Sequence, residues 1–341
     1  MSRDVVAAMT AYTLELREAE IKLNQNECPN DFPRELKEQV LARVAERPWN
    51  IYPDFESIAL RSALALAYGY EAENILVGNG SNELLAATIA TFVGPGTPVI
   101  FPKPTFALYE KLVTIAGGIP IPIAIDPATG LLPLDAVCGA AEAAVAGATP
   151  VIIVCSPNNP TGGVLPPNGT DALLATGATV LFDRAYGDFA EDTLPALHDQ
   201  LVTFSTFSKA WGLAALRVGW LASTASTCRE IRKVKLPYSL NIISEATAAT
   251  ALDNPQIRER NVARAIRERE RVYAAMQHIT GVTPCPSRAN FIFFRVSEPR
   301  RVFEALCARG VLIREYADAL RVSIGNPGEN DRFLASLQEV A

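Results

Sequence analysis

Short, largely apolar segments rich in β-branched residues recur between residues 74 and 221, and helical stretches separate several of them. The apolar segments are Asn74–Val77, Pro98–Phe101, Val151–Val154, Thr179–Phe182, Leu201–Thr206 and Arg217–Leu221. Strands of a parallel sheet are covered on both faces, so they are continuously apolar rather than alternating. Two of the segments are followed by stretches with helical spacing, Asn82–Phe92 and Phe106–Ile115. The alternation predicts an α/β fold with a mostly parallel sheet.

The pattern changes after Pro237. A charged helical stretch spans Asn254–His278 and carries both signs along its faces, which predicts a solvated helix. Short strands and one further helix follow it. This part of the chain therefore predicts a smaller α+β domain.

Charge and composition exclude several classes of protein. The 341 residues include 31 lysines and arginines against 37 aspartates and glutamates, a net charge of −6 without a basic stripe. We therefore expect neither a nucleic-acid partner nor an anionic membrane surface. No apolar run approaches the roughly 20 residues of a membrane span. The cysteines and the two histidines lack metal-ligand spacing, so we expect no metal and a reducing cytoplasmic location.

Polar residues follow four of the predicted strands, at the edge where open α/β sheets bind their ligands. They lie within Gly78–Glu83, Cys155–Gly162, Asp183–Tyr186 and Ser205–Lys209. Each segment alone also fits ordinary structure: a capped helix, a proline turn, a paired acid or an exposed lysine. Only their combination at one sheet edge predicts a binding site.

Together these segments offer the groups that pyridoxal phosphate requires. The cofactor needs a lysine that binds its aldehyde, an acid that keeps the pyridine nitrogen protonated, and a phosphate site. Lys209 and Asp183 supply the first two groups. Tyr186 and Asn159 lie in the same set of four segments. The candidate phosphate cradle comprises Gly80, Ser81, Asn82, Thr206, Ser208 and Arg217.

A series of motifs resembles the fold type I, class II aminotransferases that depend on pyridoxal 5'-phosphate. The motifs are KLNQNECP (22–29), YPD (52–54), GNGSNE (78–83), PTF (104–106), SPNNPTG (156–162), DRAY (183–186), TFSKAWGLAALRVG (206–219) and LRVSIG (320–325). The resemblance implies a large cofactor-binding domain at residues 28–237 with a mostly parallel seven-stranded sheet. A small α+β domain would be formed by both chain ends, residues 1–27 and 238–341.

The resemblance also implies roles for individual residues. Lys209, Asp183 and Tyr186 would be catalytic, with Lys209 binding the cofactor and moving the proton. The residues implied to bind the cofactor are Ser81, Asn82, Phe106, Asn159, Asp183, Tyr186, Thr206, Ser208, Lys209, Arg217 and Tyr52. Tyr52 would come from the partner subunit, so a homodimer is expected.

The implied substrate-binding residues are Tyr12, Asn159, Arg314 and Arg321. Arg321 would bind an α-carboxylate or a substrate phosphate, because a planar guanidinium suits either anion. Two positions depart from the family pattern: Arg184 replaces the usual acidic residue, and Phe106 replaces a tyrosine. We expect Arg184 to alter a local charge pair rather than the chemistry, and Phe106 to leave the ring stack intact with one hydroxyl missing.

Within the family the motifs are most similar to those of members that act on histidinol phosphate. The implied reaction is amino transfer between that small-molecule donor and 2-oxoglutarate. An aromatic amino-acid aminotransferase is the nearest alternative, and a phosphothreonine-type decarboxylase is a second. Regulators that reuse this fold carry a DNA-binding segment ahead of it, whereas the motifs here begin by residue 22, so we expect an enzyme.

Overall fold

The structure is a computed structural model, and it describes residues 2–11, 17–126, 128–144, 148–191 and 193–341. The strands are β1 (Ile21–Lys22), β2 (Ile75–Asn79), β3 (Pro98–Lys103), β4 (Ile119–Ala124), β5 (Val151–Cys155), β6 (Thr179–Asp183), β7 (Leu201–Thr206), β8 (Val218–Ala222), β9 (Thr283–Pro284), β10 (Phe291–Arg295), β11 (Val311–Leu312), β12 (Arg314–Glu315) and β13 (Leu320–Ser323). The helices are α1 (Asp4–Ala7), α2 (Arg34–Ala45), α3 (Ile58–Tyr68), α4 (Ser81–Phe92), α5 (Leu108–Ala116), α6 (Leu134–Ala144), α7 (Gly169–Ala175), α8 (Ala225–Arg232), α9 (Ile242–Leu252), α10 (Gln256–Met276), α11 (Pro299–Ala308) and α12 (Pro327–Val340). Short 3-10 helices span Ala72–Asn74, Gly187–Phe189 and Ala214–Leu216.

The main sheet has seven strands in the order β2-β8-β7-β6-β5-β3-β4. Strand β8 runs antiparallel to both of its neighbours, while the remaining pairs are parallel. All six strands predicted from apolar runs are present, with ends shifted by at most two residues. The predicted α/β fold with a mostly parallel seven-stranded sheet is confirmed.

Strand β4 was not recognised from the sequence because its apolar residues alternate with prolines (IPIPIA, 119–124). Proline cannot donate to a strand ladder, so it is confined to edge strands and bulges. In the structure β4 lies at the edge of the sheet and pairs only with β3. The edge position resolves the conflict between the proline content and the strand.

Helices cover both faces of the main sheet, because successive side chains of a strand point to opposite faces. On β5, Ile153 packs in a cluster with α4, α5 and α8. Its neighbour Ile152 packs on the other face with α6 and α7. Helices α3 and α9 extend that second face over β2 and β8. Both faces of the sheet are therefore covered by packed apolar side chains, as the apolar runs predicted.

A second hydrophobic cluster joins the two ends of the chain. Leu23 packs there with side chains from α10, α11, α12 and the sheet β12-β13-β10-β9. Strand β1 pairs in parallel with β11, which ties residues 21–22 to residues 311–312. Helix α9, however, packs on the main sheet. The predicted division at residues 27/28 and 237/238 remains a proposal, and we move its second boundary into α10.

The sequence predicted that the charged stretch Asn254–His278 forms a solvated helix. That prediction is wrong for one face of helix α10, which is buried. Ile257, Val272 and Met276 are buried on it. The buried Arg269 donates hydrogen bonds to the backbone carbonyls of Phe189 and Ala289, at 3.4 and 3.2 Å. Helix α10 is therefore amphipathic. Its buried face contacts clusters on the main sheet and also the cluster that joins the chain ends. Within the described ranges, no helix combines the length and apolarity needed to cross a membrane.

A matched pair of glycine substitutions tests how tightly β8 contacts the loop before α4. A Cβ on Gly219 would lie 2.2 Å from the Ser81 nitrogen, whereas a Cβ on Gly139 in α6 would meet nothing within 4 Å. We expect G219A to lower the free energy of unfolding by about 2 kcal/mol, as overpacking does. We expect G139A to raise it by about 0.5–1 kcal/mol, because alanine favours a helix over glycine. Urea unfolding followed by circular dichroism measures both, and equal effects would refute the contact.

Candidate active site

A cavity of about 360 Å³ opens at the carboxyl ends of β5, β6 and β7. Its lining residues are Gln25, Glu27, Ser81, Asn82, Phe106, Tyr109, Cys155, Asn159, Asp183, Ala185, Tyr186, Thr206, Ser208, Lys209, Ala214, Ala215 and Arg217. The structure thus brings together every residue predicted to bind the cofactor except Tyr52. The strand ends explain this gathering, since parallel strands deliver their following residues to one edge.

One end of this cavity is built to hold an anion. Helix α4 begins at Ser81, directly after Gly80, and its unpaired N–H groups favour negative charge. Arg217 donates a hydrogen bond of 3.3 Å to the hydroxyl of Ser208, which also accepts one of 3.0 Å from Thr206. A Cβ on Gly80 would lie 2.4 Å from Nη2 of Arg217, so only glycine leaves room for the guanidinium there.

The opposite wall carries the buried carboxylate of Asp183, at the end of β6. Its Oδ2 accepts a hydrogen bond of 2.6 Å from the hydroxyl of Tyr109, and Oδ1 accepts one of 2.9 Å from the amide of Ala185. Burial raises the pKa of Asp183, and these two hydrogen bonds act in the opposite direction. The carboxylate is thereby held in one orientation toward the cavity.

Tyr109 was missed from the sequence. Its side chain is fully buried, and burial, followed by the charge of Asp183, raises the pKa of Tyr109 well above its ordinary value. The phenol is therefore a fixed donor. Its ring also meets that of Phe106 edge to face, with centroids 5.6 Å apart. The one available signal was its position three residues after Phe106.

Lys209 lies in the turn that follows β7 and lines the same cavity as the anion site and the acid. Its Nζ donates a hydrogen bond of 2.9 Å to the carbonyl of Gln25 and lies 5.8 Å from the ring centre of Tyr186. Burial lowers the pKa of Lys209 to about 8, and the positive charge of Arg321 acts in the same direction. An appreciable fraction of the amine is therefore unprotonated, and nucleophilic, near neutral pH.

A second cavity of about 300 Å³ meets the first at Lys209. Two arginines line it, Arg314 on β12 and Arg321 on β13, and they are directly opposite each other in the antiparallel register. Like charges in opposed positions are destabilising unless something compensates them. Neither arginine forms an ion pair with a carboxylate among the described residues. The second cavity therefore suits a ligand with an anionic group.

Arg321 is buried and held by neutral acceptors. It donates to Oδ1 of Asn159 and, at 2.7 Å, to the carbonyl of Asn24. The phenol of Tyr316 accepts a third hydrogen bond of 3.2 Å. Its Nε is buried and has no hydrogen-bond partner. Arg321 is thus oriented while its positive charge remains available to a ligand.

Comparison with known proteins agrees with this geometry. The chain matches the aminotransferase class I and II family over residues 18–337. It belongs to that family.

Relatives within the family are similar over nearly their whole length. A histidinol-phosphate aminotransferase of Chlorobium luteolum is 36% identical over 336 residues, covering 94% of this chain and 92% of the relative. One of Thermococcus gammatolerans is 32% identical and covers 100% and 98%. The crystal structure of the Sinorhizobium meliloti histidinol-phosphate aminotransferase, in complex with pyridoxal-5'-phosphate, superposes with a TM-score of 0.88 at 25% identity. That match covers 99% of this chain and 96% of the other.

Two residues singled out in the sequence, Tyr52 and Arg184, line neither cavity of this family member. Tyr52 is 78% exposed and stacks on Tyr238, with ring centres 4.6 Å apart. Tyr12 lies outside the described residues. Arg184 lines neither cavity; it donates a hydrogen bond of 2.6 Å to the carbonyl of Thr193. Among the described residues, no cluster of three histidine, cysteine or acidic side chains could hold a metal ion.

The lowered pKa of Lys209 predicts its chemical reactivity. In trace acetylation of the cofactor-free protein across pH, we expect labelling of Lys209 to be half-maximal near pH 8, because only the unprotonated amine reacts and the Lys209 pKa is about 8. An ordinary exposed lysine has a pKa near about 10.4, so exposed lysines in the same digest are the reference. Mass spectrometry quantifies each peptide, and K209A identifies the relevant one. A Lys209 profile that coincides with the reference would contradict the assignment.

Proposed function

We propose that the chain is a pyridoxal 5'-phosphate-dependent aminotransferase acting on histidinol phosphate. It would interconvert histidinol phosphate plus 2-oxoglutarate and imidazole-acetol phosphate plus glutamate, a step of histidine biosynthesis. The observation that carries the proposal is the position of Lys209, an amine with a lowered pKa at the junction of two cavities. One cavity offers an anion site with a buried acid, and the other offers two arginines.

The first cavity fits pyridoxal phosphate. The N-terminus of α4, with Ser208 and Arg217, would hold the phosphate. Asp183 would pair with the pyridine nitrogen, and the ring of Phe106 would stack on the pyridine. Such a carboxylate matches a pyridinium, since a buried charge needs a partner. Tyr186 and Asn159 would bind the 3' oxygen.

The cofactor supplies an aldehyde that captures amino groups and a ring that takes up electrons. The chain's own residues supply the proton chemistry. With a pKa of about 8, Lys209 would be available as a free amine to hold the cofactor, and its Nζ could take and return protons. Asp183, once paired with the ring nitrogen, would stay ionised and hold a proton on that nitrogen. The buried walls exclude water from these groups.

The opposed arginines favour a phosphate-bearing substrate. A phosphate carries up to two negative charges and offers three acceptor oxygens, so it can bind both guanidinium groups at once. A single carboxylate, as in glutamate, can be held by Arg321 alone. The pair therefore suits a site in which a phosphorylated donor and a dicarboxylic acid alternate. The same pair does not favour an uncharged aromatic side chain, which argues against the aromatic aminotransferase.

Amino-donor assays test the proposed function. With pyridoxal phosphate and 2-oxoglutarate, we expect the protein to release glutamate from histidinol phosphate and much less from phenylalanine. We expect K209A to lose this activity and the visible absorbance band of bound cofactor, because no amine remains to bind the aldehyde. R314A should weaken histidinol phosphate binding by about 10-fold or more, since a charge-assisted contact is lost.

The alternatives give different outcomes in the same assays. Turnover of phenylalanine without turnover of histidinol phosphate would establish the aromatic aminotransferase. Release of carbon dioxide from phosphothreonine without a keto acid would establish the decarboxylase. K209V is the matched control for K209A, because it tests whether an apolar side chain of intermediate size preserves the fold. Thermal unfolding checks that both variants remain folded.

We also propose that the protein is a homodimer in which Tyr52 completes the neighbouring site. Tyr52 is exposed here and lies among other exposed apolar side chains. These are Trp49, Ile51, Phe55, Ile58, Leu236 and Tyr238. Exposed apolar patches mark association surfaces. The sequence alone supports a cytoplasmic location, through cysteines scattered without a disulfide pattern.

Subunit mixing tests the shared site. K209A should be inactive and Y52A weakly active, and co-refolding them should restore about a quarter of wild-type activity. That fraction follows because about half the dimers of a two-fold symmetric assembly are hybrids, each with one intact site. Separate affinity tags verify that hybrids form. Hybrids that form without any gain in activity would show that Tyr52 acts within its own subunit.

A further inference from the structure

The side chain of Asn26 links the N-terminal segment to the active site. Its Nδ2 donates a hydrogen bond of 3.0 Å to the hydroxyl oxygen of Tyr186. Both residues are buried, with exposed fractions of 1% and 5%. Asn26 also lies directly after Gln25, whose carbonyl contacts Lys209. None of the sequence motifs assigned this asparagine a role.

Ser323 on β13 fixes which end of the Asn26 amide faces Tyr186. The backbone N–H of Asn26 donates to Oγ of Ser323 at 2.8 Å, and that hydroxyl donates to Oδ1 of Asn26 at 2.9 Å. If the amide were reversed, the Ser323 proton would face an NH₂ group and lose its acceptor. A buried donor that has no acceptor is destabilising. The NH₂ end therefore faces Tyr186.

This orientation determines the direction of the Tyr186 proton. A phenol carries one O–H and accepts through its oxygen. Because the Tyr186 oxygen accepts from Asn26, its own proton must point elsewhere, and Tyr186 lines both cavities. We propose that Asn26 is a positioning residue that directs the Tyr186 hydroxyl proton into the cofactor cavity. The inference rests on the proposed function, since the oxygen that receives the proton belongs to the cofactor.

The backbone at Asn26 suits this role. Its φ is 55°, in the left-handed region that asparagine tolerates better than most residues. Asn290 holds the backbone by donating a hydrogen bond of 3.1 Å to the Asn26 carbonyl. Ser323 lies two residues after Arg321 on the same strand. The strand that carries the substrate arginine therefore also fixes the amide.

Two substitutions test the proposal in the holoenzyme. In N26D, a carboxylate of the same shape accepts the Tyr186 proton and withdraws it from the cavity. In N26G, the side chain is removed without strain, because glycine tolerates positive φ. The measurement is the pH midpoint of the absorbance change of bound pyridoxal phosphate. A donor to the 3' oxygen stabilises its deprotonated form, so losing that donor raises the midpoint.

We expect N26D to raise the midpoint by about one pH unit, a tenfold change in proton affinity, and N26G to raise it by less. The new charge of N26D acts through space as well, so each substitution is repeated in the Y186F background. The charged and titratable groups that face Tyr186 are unchanged in every variant. They are Lys209, Arg321, Asp183 and Cys155. The shift should be clearly smaller when Tyr186 is absent.

N290A is the matched control, because Asn290 contacts the Asn26 backbone but not its amide. It should lower the unfolding temperature and leave the midpoint in place. Equal shifts in the wild-type and Y186F backgrounds, or no shift in either variant, would overturn the proposal. If N26D does not fold, the N26G pair gives the same comparison. Failure of the proposed function looks different, since wild-type protein would then show no visible band with pyridoxal phosphate.

Discussion

The burial of charge at one edge of the sheet governs the chemistry of this site. Burial raises the pKa of Asp183 and lowers that of Lys209, so it disfavours the charged form of both groups. Hydrogen bonds from Tyr109 and the Ala185 amide offset the cost of burying the Asp183 carboxylate. The cost of burying a charged Lys209 amine is offset less. One low-dielectric cavity thus holds an oriented carboxylate beside a reactive amine.

The anion sites lie on either side of this pair. One uses the N-terminus of α4 and Arg217, and the other uses Arg314 and Arg321. They are local features of a chain whose net charge is −6. Recognition therefore depends on a few oriented donors rather than on the field of the whole surface. Small anions gain from such donors, whereas a long polyanion would be repelled by the net negative charge of the protein.

The sequence predicted the parts of the site that follow strand ends. Asp183 and Lys209 could be located because apolar runs stop immediately before them. Tyr109 could not, because its role depends on a hydrogen bond to a residue 74 positions away. The contact between Asn26 and Tyr186 was hidden for the same reason, since the two are 160 positions apart.

Errors in the fold have equally specific causes. The prolines of β4 conceal a strand that only an edge position permits. The charges of α10 conceal a buried face, because Arg269 satisfies its guanidinium with two backbone carbonyls and with the carboxylate of Glu270. Helix α9 follows Pro237, where the sequence pattern changes, yet it packs on the main sheet. Composition alone does not reveal which neighbour a helix will find.

The antiparallel direction of β8 has a mechanical consequence. Strand β7 ends at the site, and β8 begins there, so the connection between them starts and finishes at the same edge. Lys209 and Arg217 both lie in this connection. The covalent anchor and the electrostatic anchor of a bound cofactor would therefore belong to one short loop braced by two paired strands. Cutting the chain within that loop, as in a circular permutation, would separate the anchors while leaving the strand order intact.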